Sequence, residues 1–463
     1  MTGTLAGHPG LPRLLAGLPS SGAMSLSAHE RIHGELPRMP AQELIQAVEQ
    51  SGLRGRGGAD FPTAHKLRTL AAARRVSAVV VNGSETEPAS AKDRLLLSRL
   101  PHLVLDGAML AAFAVGAREV ILKLGQSAVS SLRALEGAIS MRDRDPVPAR
   151  LIAAPEGYVA GEESAVVHYL NGGPQLPTFV PPRPFQRGYQ GRPTLINNPE
   201  TLAQLALVAR FGPHWFRELG TPADPGSALV TIGGPVAVPG VYELAFGTPM
   251  TDLLAAAGGP TEPLQALLVG GYFGTWVDSS RVSEIRLSRA ELRSVGCSLG
   301  SGVLLALGQR SCGLHESARV IRYLAEQSAG QCGPCTYGLR AIAEALRAMA
   351  EGVAHPRERD RVLRWASEVR GRGACHHPDG AVRFVESVID VFGAEIDSHR
   401  TTRCSAQPAG FPLGGPPQPS GFGEPVPPSR FGEPVPPSRF GEPGPPSRFA
   451  GRSQPSASRW VRR

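Results

Sequence analysis

Two short apolar runs in the first half of the chain, separated by a helical stretch, constrain the fold most. Val76–Val81 (VSAVVV) is β-branched and continuous, as a strand buried on both faces would be. Leu103–Val115 has helical periodicity, Glu119–Leu124 (EVILKL) is a second strand, and Leu151–Ala154 is a weaker third. This βαβ rhythm, from about Pro40 to Phe211, predicts a parallel sheet with helices packed on it. From Ser227 the period changes. Ala228–Ile232, Val241–Glu243 and Ala266–Val269 read as short strands between Gly and Pro turns, with a helix at Met250–Ala257. From Glu316 four amphipathic segments follow with short connections, the pattern of a four-helix bundle.

The expected organisation is a flexible segment 1–38, an α/β domain 39–222, a small β-rich domain 223–312, a helical domain 313–403 and a Pro-rich tail 404–463. A chain of 463 residues suits several domains at roughly 150 residues each. Near the C-terminus Phe422–Arg430, Phe431–Arg439 and Phe440–Arg448 repeat FGEP-x-PPSR. So many prolines forbid helix and ladder, leaving either a spacer or a partner-docking tail, expected to be disordered after about Pro408.

Charge and composition exclude several classes. The net charge is +8, of which +4 lies from Pro408 onward (seven Arg, three Glu), so the body is only mildly basic and nucleic-acid binding is not indicated. No apolar run is long enough for a transmembrane helix, and the N-terminus lacks a secretory pattern. A cytoplasmic protein is expected, peripheral at the inner face of the membrane only through a partner. Six cysteines in this length are no disulfide framework; they are free thiols or metal ligands.

Five motifs could carry chemistry. Gly52–Lys66 (GLRGRGGADFPTAHK) is glycine-rich with three cations: a phosphate cradle or an ordinary loop. Val79–Arg94 (VVVNGSETEPASAKDR) leaves the end of a strand, where ligands of parallel sheets bind. Asn82, Glu85 and Glu87 stand there to meet a heterocycle or ribose, or as a solvated acidic loop. Glu156–Leu170 puts Gly161, Glu162 and Glu163 at a helix start, as ligand contacts or as plain helix-start acids. Asn197 and Asn198 suit the amide edge of a flavin, or cap a helix. Cys332-Gly-Pro-Cys335, with Cys375 forty residues on, has metal-ligand or redox spacing. Cys297, Cys312 and Cys404 have no such context and read as structural.

The order of these motifs over residues 40 to 400 resembles the F-type, flavin-binding and NADH-oxidising subunit of respiratory complex I. It also resembles matching subunits of NAD-linked hydrogenases and formate dehydrogenases. The resemblance implies an FMN-binding α/β domain, a ubiquitin-like (SLBB-type) domain and a helical domain with a [4Fe–4S] cluster. It implies that Gly55, Arg56, Gly57, Gly58 and Lys66 hold the FMN phosphate region, and that Asn82, Asn197 and Asn198 contact the flavin. Tyr158, Gly161, Glu162 and Glu163 would line the flavin and nicotinamide site, with Glu163 tuning the nicotinamide side. Phe61 would stack near adenine, and Cys332, Cys335 and Cys375 would ligate iron. Electrons would pass from NADH or NADPH through FMN to the cluster, then to partner oxidoreductase subunits or a ferredoxin-like acceptor.

The chain departs from the family pattern in four places. Asp60 replaces glycine in GAGFP and would repel a ligand phosphate. Ser84, Thr86 and Ala89 interrupt NADEGEPG. Val180 and Arg183 replace the lysine and aromatic of KPPFP. Ala329 takes the place of the first cysteine in CGxCxxC, leaving three thiolates and four alternatives: a fourth ligand from elsewhere, one open iron, a [3Fe–4S] cluster or no cluster. His376 and His377 adjoin Cys375 as candidates or as solvated loop residues, and Cys312 is one only if its loop folds back. Three readings follow: a diverged NADH-dependent oxidoreductase subunit, a non-catalytic paralogue acting in relay or assembly, and a zinc or dithiol module built on those cysteines.

Overall fold

Val79, Val80 and Val81 have no solvent exposure, as their β-branched run requires of a central strand. In the computed structural model, which describes residues 2–4, 9–73, 75–143, 145–402, 404–406 and 409–414, they lie in the strand Val79–Gly83. Four parallel strands stand in the order Ala149–Ala154, Val120–Gly125, Val79–Gly83, Leu195–Asn197. The helix Pro101–Val115 starts on proline, ends on Gly116 at φ +65°, and is buried along nearly its whole length. It crosses the helix Pro199–Arg217 so closely that a Cβ on Gly107 would lie 1.9 Å from the Leu202 carbonyl oxygen. The strands Val79–Gly83 and Leu195–Asn197 run parallel, so Asn82 and Asn197 reach the same edge of the sheet.

A second sheet has six strands in the order Thr2–Thr4, Gly240–Ala245, Ser227–Gly233, Val303–Gly308, Leu264–Val269, Thr275–Asp278. The helical region contains Gly313–Glu326, a π-helical turn Pro334–Leu339 running into Arg340–Ala350, Glu358–Val369 and His377–Val391. A fifth short helix, Gly393–His399, follows the four read from the sequence.

Two flexible segments expected from the sequence are packed instead. The N-terminal stretch carries a helix, Leu26–His33, and buries Leu14, Leu15 and Met24. Its anchor is the buried Glu243 carboxylate, which accepts the backbone N–H groups of Arg13 (2.9 Å), Leu14 (2.9 Å) and Leu15 (3.1 Å). The Arg13 guanidinium lies 3.8 Å over the Trp215 ring. Glycine and proline spacing suggested disorder because backbone donors converging on a distant acid leave no local sequence mark.

Order also continues past Pro408. Gly410 and Phe411 donate their N–H groups to the buried Glu316 carboxylate at 3.2 and 3.0 Å. Phe411 is buried and stacks on Trp276, and the Tyr272 hydroxyl donates to the Pro412 carbonyl. The three nonapeptide repeats lie outside the described residues.

Candidate functional site

The glycine loop folds back on itself through Gly55 N–H to Phe61 O, 2.8 Å. Gly58 takes φ +95°, and a Cβ on Gly57 would lie 3.2 Å from the Asn198 Cβ, so the loop sits tightly on the asparagine turn. The Arg56 side chain turns inward. It donates to the Ser227 carbonyl at 3.2 Å, lies 3.8 Å from Glu200 and covers the Phe246 ring. Glu200 in turn pairs with Lys92 at 2.9 Å, and Lys92 with Asp93 at 2.9 Å. This buried network joins the glycine loop to the second sheet, a role that the motif alone does not disclose.

Asp60 sits at φ +48° with its carboxylate 3.0 Å from Arg54 Nε and 3.5 Å from Arg289 Nη1. The repulsion expected from the sequence is therefore offset by two guanidinium groups. Phe61 is 44 % exposed, and Phe179, one residue before Val180, is 78 % exposed. Phe61 packs edge-on against His65 at 5.5 Å between centroids. Arg183 is exposed.

At the strand ends the candidate residues divide. Asn82 Nδ2 donates to the Gly161 carbonyl at 2.8 Å. Asn197 is buried with Nδ2 lacking any partner among the described residues. Asn198 is a helix cap: its Oδ1 accepts from Glu200 and Thr201, and its Nδ2 donates to Asp93 at 2.6 Å. Glu85 accepts from the N–H groups of Asp93 and Arg94 and from Ser90 Oγ, fastening the start of the helix Lys92–Arg99. Lys66 Nζ pairs with Glu163 at 2.6 Å and reaches the Ile196 carbonyl at 2.8 Å, beside Asn197. Glu162 caps the helix Glu163–Leu170.

Glu87 is buried. Its Oε2 accepts from the Tyr158 hydroxyl at 2.9 Å and the Tyr272 N–H at 2.8 Å, while Oε1 has no partner among the described residues. Burial pushes its carboxyl up to about 7. The Tyr158 ring packs edge-on against Phe273, Tyr323 and His377, at 4.8, 5.9 and 5.8 Å between centroids. It thereby ties the segment before the helix Glu163–Leu170 to the helical domain.

In the helical domain Cys332, Cys335 and Cys375 share one electrostatic neighbourhood with Asp379. Burial, then the adjacent thiols of Cys332 and Cys375, push Cys335 well above the ordinary thiol range. Cys375 is raised by burial, with Glu162 adding to the shift. Thiols crowded in this way are relieved by cationic iron, so the donor set fits an iron–sulfur cluster. The unpartnered Asn197 Nδ2 likewise fits a polar ligand at the strand ends. Ala329 supplies no donor. His376 is 90 % exposed and pairs with Asp379. His377 is buried, not solvated: Nε2 donates to the Leu324 carbonyl at 2.8 Å, and Nδ1 has no partner among the described residues. Cys312 does not join this group; it lies with His315, His399 and Cys404.

Three family models match in order: the Nuo51 FMN-binding domain at residues 48–207, the SLBB domain at 229–271, and the NADH-ubiquinone oxidoreductase-F iron-sulfur binding region at 315–399. The F subunit of NADH-quinone oxidoreductase from Rickettsia bellii is 30 % identical over 372 residues, 77 % of this chain and 89 % of the relative. The chain belongs to the family of NADH-quinone oxidoreductase F subunits. The F subunit from Streptomyces coelicolor is 30 % identical over 391 residues, covering 80 % and 86 %. Among solved structures, an NAD+-reducing [NiFe]-hydrogenase in the air-oxidized state matches with a TM-score of 0.77 at 30 % identity, over 87 % of this chain and 69 % of that one. The activity of the F-subunit family is electron transfer from NADH through FMN to an iron–sulfur cluster, and this chain carries both the FMN-binding domain and the iron–sulfur region. The relatives are named as subunits of larger oxidoreductases. No single helix among the described residues is long and apolar enough to cross a membrane.

Lys123 also belongs to this site, although none of the five motifs contains it. It is fully buried at the strand end, donating to Ser84 Oγ at 2.6 Å and the Ala160 carbonyl at 3.1 Å. A lysine inside an otherwise apolar run, EVILKL, is the signal that the sequence offers.

Proposed function

We propose that this chain is a diverged F-type protein that carries electrons between pyridine nucleotide and an iron–sulfur cluster through FMN, with a loosened nucleotide pocket. When bound, FMN supplies the conversion of a two-electron hydride donor into single electrons. The protein's own groups position and exclude water. Asn82, Asn197 and the backbone of Gly57 and Gly58 would hold the flavin, with Lys66 at its phosphate, Glu163 orienting Lys66 and Gly55 closing the loop on Phe61. Cys332, Cys335 and Cys375 would hold the cluster.

The observation that carries this reading is Tyr158. One residue bonds the sheet-edge acid Glu87 and packs on His377, two residues from Cys375. Flavin side and cluster side are thus joined through one aromatic contact. The experiment is anaerobic titration of the purified protein with NADH and NADPH, following flavin absorbance with iron and flavin analysis. Bleaching of bound flavin is expected. Bound cluster without flavin or bleaching would favour the second reading, a relay or assembly paralogue. That reading draws on Thr86, whose side chain occupies the space beside Gly161 where the family pattern has glycine.

A further inference from the structure

Four ligand atoms outside the flavin and cluster residues converge at the edge of the helical domain. Cys312 Sγ, His315, His399 and Cys404 Sγ each offer one donor, and all lie within 4.8 Å of one another. Cys312 caps the first helix of the domain, Gly313–Glu326, and His315 sits one turn on. His399 ends the last helix, Gly393–His399, and Cys404 follows it. We propose that these residues bind one zinc ion, which closes the helical domain by tying its first helix to its last.

The chemistry of the donor set points to zinc. Two thiolates and two imidazoles, mutually within reach, make the tetrahedral Cys2His2 set of a structural zinc site. Cys312 Sγ lies 3.7 Å from His399 Nε2. Ordinary Zn–S and Zn–N lengths of about 2.3 and 2.0 Å put two tetrahedral ligands about 3.5 Å apart. The supporting bonds are also in place. His399 Nδ1 is 2.9 Å from the Ala350 carbonyl, which can only accept, so Nδ1 carries the hydrogen and Nε2 carries the lone pair facing Cys312. The His315 N–H donates to Cys312 Sγ at 3.2 Å, which holds the sulfur at the start of the helix. Glu395 Oε1, 4.0 Å from His399 Nε2, adds negative charge beside the site. Binding displaces two thiol protons to solvent and leaves a neutral Zn(Cys)2(His)2 unit.

The consequence is mechanical. The docked segment Ala409–Leu413 begins five residues after Cys404, so the metal would fix the chain where it turns back to reach Glu316 and Trp276. The four donors do not include Cys332, Cys335 or Cys375.

The test uses the full chain expressed with zinc and iron and analysed for both metals. One zinc per chain is expected beyond the iron. Cys404→Ser and His315→Ala, both at half-buried positions, should each lower zinc at least tenfold and leave iron unchanged. Cobalt added to zinc-depleted protein should give the visible ligand-field bands of a tetrahedral thiolate site, lost in Cys404→Ser. Absence of zinc together with absence of those cobalt bands overturns the assignment, as does zinc retained in both variants. Zinc lost instead from Cys332→Ser would place the ion at the other cysteines and equally refute it.

Discussion

Lys123 faces Ser84, a hydroxyl, where the family pattern has an acid. The two side chains meet at 2.6 Å, and among the described residues no carboxylate pairs with the ammonium group. Burial lowers its pKa to about 7. The sign follows from linkage. Between about pH 7 and the ordinary lysine value of about 10.4, the unfolded chain holds the proton and the folded chain does not. Stability therefore rises with pH in that window, by at most about 1.4 kcal/mol per unit. Raised thiols such as Cys297, pushed up to about 11 by burial, act in the opposite sense once pH passes the ordinary thiol value of about 8.5. The clean comparison is wild type against Lys123→Met from pH 7 to 8.5. Melting temperature should rise with pH more steeply in the wild type, and Lys123→Met should melt higher at pH 7. Parallel curves would mean that the amine finds a partner or solvent.

The docked segment beyond Pro408 gives a second prediction. Phe411 is buried, and full burial of such a side chain contributes about 1.5–3 kcal/mol. Its removal also strips two N–H donors from the buried Glu316, leaving that acid with Arg319. Truncation after Gln407 should lower the melting temperature by several degrees, whereas truncation after Gly414 should leave it unchanged. Equal melting of both truncated chains and the full chain would remove the segment from the core.

The nucleotide pocket gives a third. A lost aromatic stack and a lost cationic contact together cost on the order of 1–3 kcal/mol, or tenfold to a hundredfold in affinity. Val180→Lys with Arg183→Phe should recover that factor for NADH in calorimetric titration. Asp60→Ala should change NADH affinity by less than about threefold, because Arg54 and Arg289 already offset its charge at a partly exposed site. A tenfold gain from Asp60→Ala alone would show that its charge still reaches the ligand. Arg183 also favours an extra phosphate, so NADPH should lose affinity in the double variant.

What the sequence discloses depends on the range of the interaction. The run Val79–Val81 and the stripe Val320, Ile321, Leu324 disclose strand and helix because their burial follows from local periodicity. The motif order discloses the FMN-binding domain and the iron–sulfur region. Long-range polar pairing stays hidden: Glu243 with residues 13–15, Glu316 with residues 410–411, and Glu200 with Arg56 and Lys92 have no local pattern. Glu85 and Asn198 are the instructive cases, since residues in ligand motifs also serve as helix caps. Cys312 and Cys404 read as structural thiols because their histidine partners are close in sequence to one cysteine each, and only the fold joins the pairs.

The last prediction concerns the cluster's fourth ligand. Cys332, Cys335 and Cys375 would supply three thiolates, and Ala329 cannot coordinate. His376 points to Asp379 and solvent, so His376→Ala should leave iron content unchanged. His377 differs. Its Nε2–H is committed to the Leu324 carbonyl, so Nδ1 carries the lone pair, and burial lowers the ring's pKa to about 4, which keeps it neutral. Its Nδ1 has no partner among the described residues and lies two residues from Cys375 in sequence, which makes it the histidine to test as a replacement for the missing thiolate. Such a ligand set should be labile, so air-exposed protein should show the electron paramagnetic resonance signal of an oxidised three-iron cluster. Ala329→Cys should raise iron toward four per chain and suppress that signal. His377→Leu should speed loss of the fourth iron in anaerobic protein without removing the other three. A four-iron cluster that survives air and His377→Leu alike would require a fourth ligand from outside these residues.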